Sequence, residues 1–381
     1  MRNLRILFVL LSVCFVGNNA FAQHEPGDMV VVIHSAPLKV GGTVLEEIPR
    51  GVGLKVHAVQ GDWLWVNYDR AGWVSRANVV TPTRAVEIFT DEINRNPHDA
   101  DAYVARGLAW FDKKEVDIAI ADLNEAIRLA PRYSSAYASR SICWWARREV
   151  DQAISDISEA IRLEPKDAVY LTNRGILWNM KGEYDKAIQD ADAAIRLAPQ
   201  YVKCHIVRGN ALLQKGELRQ SLAEFNVAVQ IDPKAAVAVA SRGRAYAATG
   251  EFDRAAADLE HAVALDPKSK TVCNELARFY ATCPDGHFRN ADKALEYARH
   301  ACELSDWHWA SALGVLAAAY AEAGEFDRAV EWQEKATGMV PEKRRPKYLA
   351  KLNLYKQRQP YREPTRDATS QAQAAPGDRG S

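Results

Sequence analysis

The chain has 381 residues, 48% apolar and 26% charged, with 49 Lys and Arg balancing 49 Asp and Glu. This is the composition of a folded chain long enough for two or more domains. It excludes extensive disorder, and the even charge balance argues against nucleic acid as a partner.

Residues 1–22 place Arg2 and Arg5 before an apolar run from Ile6 to Val16 and close on Ala20-Phe21-Ala22. This order predicts a signal peptide cleaved before Gln23, and so an exported, periplasmic or envelope-associated protein. The apolar run spans 11 residues, whereas a bilayer needs ~20, so no integral membrane segment is expected after cleavage. Cys14 follows Val13 and the apolar run continues past it, which ranks lipid modification below simple cleavage. Cleavage removes two arginines and no acid, leaving a formal charge of −2. The remaining cysteines, 143, 204, 273, 283 and 302, are odd in number and scattered. They read as buried apolar filler, with Cys273–Cys302 the most plausible pair for a disulfide.

From Gly27 to about Thr81, short apolar runs alternate with glycine: "MVVVIH", "GLKVHAV", "GDWLWVNY", "AGWVSRANVV". Strand-length runs with turns between them predict a compact all-β unit. Strand parity places Trp63 and Trp65 on one side and Leu64 and Val66 on the other. Through Gly53, Trp63, Val66, Gly72, Trp73 and Val74 the segment resembles the bacterial SH3-like domains of exported proteins. That resemblance implies five short strands rolled into a small barrel, which in some relatives binds cell-wall peptides or glycans and in others only packs against a neighbour. Trp63, Trp65, Tyr68 and Trp73 are then either an aromatic ligand surface or the filling of a small core.

"DLNEAIRLAP" at 122–131 returns as "DISEAIRLEP" at 156–165 and "DADAAIRLAP" at 190–199, with fainter copies ending at Pro233 and Pro267. The closing prolines, from Pro97 onward, recur every 34 residues. With Ala100 as position 1, small residues recur at position 8 (Gly107, Ser141, Gly175, Gly209, Gly243), position 20 (Ala119, Ala153, Ala187, Ser221, Ala255) and position 27 (Ala126, Ala160, Ala194, Ala228, Ala262). Position 11 is large: Trp110, Trp144, Trp178, Leu212, Tyr246. The pattern resembles the tetratricopeptide repeat, which implies an all-α solenoid of antiparallel helical hairpins wound into a right-handed superhelix. Residues 83–97 read as a lone second helix and seven repeats run to 341. A capping helix covers 342–359, with a basic cluster of Lys343, Arg344, Arg345 and Lys347, and a disordered tail spans 360–381.

Two positions change together. Position 7 is Arg106, Arg140, Arg174, Arg208 and Arg242, and position 23 of the same repeats is Asp122, Asp156, Asp190, Glu224 and Asp258. In the last two repeats they become Leu276 with Tyr297 and Leu316 with Trp332. Five structural arginine–carboxylate bridges, each within one hairpin, are therefore expected.

No HExxH, GxSxG or phosphate-binding glycine loop occurs, so no catalytic residues, cofactor or metal are assigned. Cys283, His287, His300 and Cys302 have a faintly zinc-like spacing, but His300 and Cys302 fall about 200° apart on one helix. The resemblance implies that first helices line a concave groove, here Val104, Leu108, Phe111, Ala138, Ile142, Trp145, Val169, Thr172, Ile176, Asn179, Lys203, Ile206, Asn210, Leu213 and Arg244. The expected function is a non-enzymatic, exported interaction scaffold taking a protein or peptide in that groove. The alternative is a peptidoglycan-associated protein binding through its SH3-like domain. The oligomeric state is left open.

Overall fold

A computed structural model describes residues 24–68, 71–340 and 342–364; the expected signal peptide lies outside them. The chain divides into two compact units, residues 1–149 and 150–381.

In the first unit, β1 (Met29–Val32), β2 (Ala36–Val40), β3 (Thr43–Ile48), β4 (Gly53–Gln60), β5 (Trp63–Asn67), β6 (Ala71–Ser75) and β7 (Val79–Val80) are followed by α1 (Pro82–Arg95), α2 (Ala100–Asp112), α3 (Val116–Leu129) and α4 (Ser134–Ala146). The strands form one antiparallel sheet in the order β3-β2-β6-β5-β4-β1-β7. Its two edge strands do not pair, so the closed barrel expected from the sequence is instead an open sheet. Register shifts at Leu38/Lys39 and between Val56 and Ala58 bend it, and one face gathers Val30, Leu38, Ile48, Leu54, Leu64, Val66 and Val74 into a core.

Thr81 caps α1, with Pro82 in its first turn, so the chain passes from sheet to helix without a linker. A second core joins Val31 of β1 to Ala85, Phe89, Ala105 and Ala109 of α1 and α2. Arg50, in the turn before β4, pairs with Glu92 and lies 3.2 Å from Asp101, with its guanidinium 5.0 Å from the Phe89 ring centre. Within this unit the sheet therefore closes one end of the helical stack.

The second unit holds α5 (Val150–Leu163), α6 (Ala168–Lys181), α7 (Tyr184–Leu197), α8 (Val202–Lys215), α9 (Leu218–Ile231), α10 (Ala236–Thr249), α11 (Phe252–Leu265), α12 (Lys270–Thr282), α13 (Ala291–Glu303), α14 (Ala310–Glu322), α15 (Phe326–Gly338) and α16 (Arg345–Lys356). In both units the small residues at positions 20 and 27, such as Ala119, Ala126, Ala187, Ala194, Ser221 and Ala228, are wholly buried. They let paired helices approach so closely that at Gly209, in position 8, a methyl group would lie 2.6 Å from Phe225. First helices also stack on first helices, α6 on α8, α8 on α10, α10 on α12 and α12 on α14. α16 covers the last hairpin, burying Leu352 and Tyr355.

Cys143, Cys204, Cys273, Cys283 and Cys302 are all buried. The expected Cys273–Cys302 bridge is absent: both side chains are packing groups in one apolar cluster. Residues 360–364, expected at the start of a disordered tail, are ordered, and the rest of that tail lies outside the described residues. Residues 361–364 are seated on α12, with the Glu363 amide donating to the Thr282 carbonyl at 2.9 Å.

Candidate functional site

The arginines at position 7 lie between paired helices. Arg106 holds Asp122 through two bonds of 2.8 and 2.7 Å, and Arg174 holds Asp190 with the same distances. Arg242 holds Asp258 at 2.7 and 2.8 Å. Fork-to-fork pairing of this kind is the strongest ion-pair geometry available to arginine. It raises the pKa of all three arginines, against the opposing effect of burial.

The pair at Arg208 differs. Glu224 turns one oxygen to His205 at 2.9 Å and leaves Arg208 a longer 3.5 Å contact. Arg140, in the first unit, donates to Asn124 at 2.6 Å. A second partner, not expected from the sequence, stands on the preceding repeat. Arg106 donates to Thr90 at 3.3 Å, Arg174 to Ser158 at 3.3 Å, and Arg208 lies 3.2 Å from Asp192. Each partner stands at position 25 of the preceding repeat, so each arginine joins two successive hairpins. The signal was available: position 25 is Thr90, Asn124, Ser158, Asp192 and Asn226, polar every time.

The expected groove residues separate into exposed and enclosed sets. In the first unit Val104 is buried, Leu108 and Phe111 pack against its cluster, and Ala138 is half-buried. Ile142 and Trp145 on α4 are 38% and 45% exposed. In the second unit Val169, Ile176 and Met180 on α6 are 36%, 38% and 42% exposed, whereas Thr172 is wholly buried and donates to the Ala168 carbonyl. Lys203 is exposed, and Ile206 and Leu213 are half-buried.

The polar members are committed internally. Asn179 donates to the Val207 carbonyl at 2.9 Å. Asn210 accepts from Arg244, and Arg244 lies 3.5 Å from Glu275, which also pairs with Arg278. These residues form a polar chain across α8, α10 and α12. Burial lowers the pKa of Arg244, with Glu275 opposing it. Burial pushes the Glu275 carboxyl up, but Arg278 and Arg244 outweigh it and hold the carboxyl below its usual range.

On the sheet, Leu64 and Val66 face the core, and Tyr68 packs against it. Trp63, Trp65 and Trp73 lie on the other face. Trp65 and Trp73 meet edge to face at 5.1 Å, and Lys39 Nζ stands 5.5 Å from the Trp63 ring centre. Beside them Lys39, Gly41, Gly42, Gln60, Gly61, Asp62, Trp63 and Trp73 line a shallow cleft of about 520 Å³. Core filling therefore accounts for Tyr68 but not for the tryptophans.

Cys283 and Cys302 are buried, His300 pairs with the Pro267 carbonyl at 3.0 Å, and His287 pairs with Asp285 at 2.9 Å. Among the described residues no group of three His, Cys, Asp or Glu could hold a metal ion. Among them, too, no helix is long and apolar enough to cross a membrane.

Models of the tetratricopeptide repeat match residues 82–134, 145–202, 206–270 and 310–342, together more than half of the chain. Among solved structures, yeast Tom70 is 18% identical with a TM-score of 0.50, over 77% of this chain and 62% of that one. The Cut9-Hcn1 heterotetramer of the APC/C is 19% identical with a TM-score of 0.52, over 62% of this chain and 46% of that one. YrrB, a TPR protein with an unusual peptide-binding site, is 21% identical with a TM-score of 0.39, over 49% and 97%. At these identities the likeness concerns the fold alone. No curated protein matches the chain.

Proposed function

This chain belongs to the tetratricopeptide repeat family, and from that premise we propose that it is a non-enzymatic scaffold of the cell envelope whose first-helix faces receive segments of other proteins. Proteins built on this repeat generally mediate protein–protein interaction. The observation that carries the reading is the set of large apolar side chains left exposed on first helices, Ile142 and Trp145 on α4 and Val169, Ile176 and Met180 on α6. Scattered exposed apolar residues are ordinary; several on one helix face mark a contact surface. An amphipathic helix or an extended peptide with bulky side chains fits such a face. The test is capture of envelope proteins by the purified mature chain. Trp145→Ala and Ile176→Ser should each weaken capture of the same proteins at unchanged helicity; capture that survives both removes the first-helix faces from the account. Export is tested separately by cell fractionation and by sequencing for a mature N-terminus at Gln23.

A second reading, attachment to peptidoglycan through the sheet, is favoured by Trp63, Trp65 and Trp73 lying outside the core beside a cleft. Co-sedimentation of the full chain with purified sacculi, lost in Trp63→Ala, would support it. Retention unaffected by Trp63→Ala would remove the cleft from consideration.

A further inference from the structure

The first-helix face of the last repeats already holds an extended peptide, and that peptide is the chain's own. After α16 a four-residue connection, 357–360, leads to Tyr361-Arg362-Glu363, which lies over the C-terminal ends of α12 and α14. The Glu363 amide donates to the Thr282 carbonyl at 2.9 Å. Arg362 donates to the Ala281 carbonyl at 3.2 Å and sets Nη2 2.5 Å from Glu322 Oε2. The Glu363 carboxylate accepts from Arg278 at 3.4 Å and from the Tyr361 hydroxyl at 3.3 Å. Lys351 Nζ stands 4.0 Å from the centre of the Tyr361 ring. A cation thus faces the aromatic residue, a carboxylate the basic one and an arginine the acidic one.

The charge of the seat shows what it selects. Without the segment, Arg244 and Arg278 share the single carboxylate of Glu275, Lys351 loses the carboxylate of Glu363 that faces it, and Glu322 is already held by Arg289 at 3.1 Å. Partly buried cations short of an anion are costly, so this face requires a carboxylate. Burial raises the Glu363 carboxyl, but Arg278, Lys351 and Lys347 outweigh it and keep the group ionised. The hold is made mainly by side chains. Among the described residues the segment makes one main-chain bond to the helices, and residues 361–364 remain half-exposed or exposed.

The geometry points to a recognition site on α12, α14 and α16 for an extended segment of a partner protein carrying an aromatic, a basic and an acidic residue in succession. Tyr361-Arg362-Glu363 is the resident that this partner must displace. The site uses none of the apolar residues on α4 and α6, so it stands or falls apart from the scaffold reading. A short tether holds the resident at an effective concentration on the order of millimolar. A competing peptide therefore binds the intact chain weakly and an opened one well.

The experiment uses the full chain with a site-specific protease sequence inserted between Arg358 and Gln359, together with a fluorescent peptide of residues 357–364. After cutting and washing, the peptide should bind at least ten-fold more tightly than to the uncut chain, by anisotropy. A peptide with Arg362→Glu and Glu363→Arg together should not bind. Equal affinity before and after cutting, equal binding of the exchanged peptide, or no binding to a cut chain of unchanged melting profile would each overturn the proposal. If cutting alters the melting profile, Glu363→Gln in the intact chain opens the seat instead, and the same comparisons decide.

Discussion

Asp112, in the last turn of α2, presses its carboxyl against Gly53, the first residue of β4: a methyl group on Gly53 would fall 2.0 Å from Asp112 Oδ2. That oxygen is buried and has no hydrogen-bond partner. Burial raises the Asp112 pKa from 3.8 to about 7.

The first prediction is a pH dependence. A folded pKa raised above the unfolded value favours folding fully below about pH 4, and that benefit is lost as pH rises through about 7. The loss is at most about 4 kcal/mol, from roughly three units at 1.36 kcal/mol each. In Asp112→Asn the fall in stability between pH 4 and 8 should flatten, as read from denaturation midpoints across that range.

Gly53→Ala should destabilise the first unit by about 1–3 kcal/mol, the usual range for overpacking. Combined with Asp112→Ala, the methyl group finds space, so the double variant should be more stable than the sum of the single losses predicts. Strict additivity in the cycle would show that the two residues do not meet.

Arg174 and Asp190 have side-chain exposures of 24% and 8%. Asp190→Ala alone strands the arginine and should cost about 2–4 kcal/mol. Arg174→Leu with Asp190→Leu removes both charges and should cost less than the single change. Chemical denaturation of the two variants decides, and equal losses would mean that the pair is not coupled.

His205 lies between two acceptors, Glu224 at 2.9 Å and the Pro199 carbonyl at 3.0 Å. Only the doubly protonated ring donates to both, and the bond to Glu224, against the effect of burial, raises its pKa above 6.5. The resulting stability is fully present below about 6.5 and lost as pH rises through the folded value. An NMR titration should place the ring's midpoint above 6.5, and His205→Gln should abolish its share of the loss.

The helical architecture was legible because a 34-residue period repeats its steric demands: position 8 must be small since positions 20 and 27 bring a second helix against it. The paired substitution of Arg and Asp by Leu and aromatic residues indicated which helices face each other. The contacts of Arg106 with Thr90 and of Arg174 with Ser158 were less visible, because the partner at position 25 changes identity and keeps only its polarity. Arg244 was read as a groove residue, yet its environment is made by Asn210 and Glu275, two helices apart. The place of Glu363 was hidden for another reason. Nothing in "PYREP" indicates order until Arg278 and Thr282, 85 and 81 residues earlier, are brought beneath it.

The two-way reach of the position-7 arginines also bears on how such a chain changes length. Arg106, Arg140, Arg174 and Arg208 each ask the repeat before them only for a polar residue at position 25, and each repeat offers one to its successor. Deleting residues 168–201, one full period, would bring Arg208 opposite Ser158, the group that now serves Arg174. Whole hairpins are thus interchangeable parts with matching ends. Gain or loss of one leaves no charge stranded, and so is an accessible evolutionary step from the first repeat until leucine replaces arginine at Leu276.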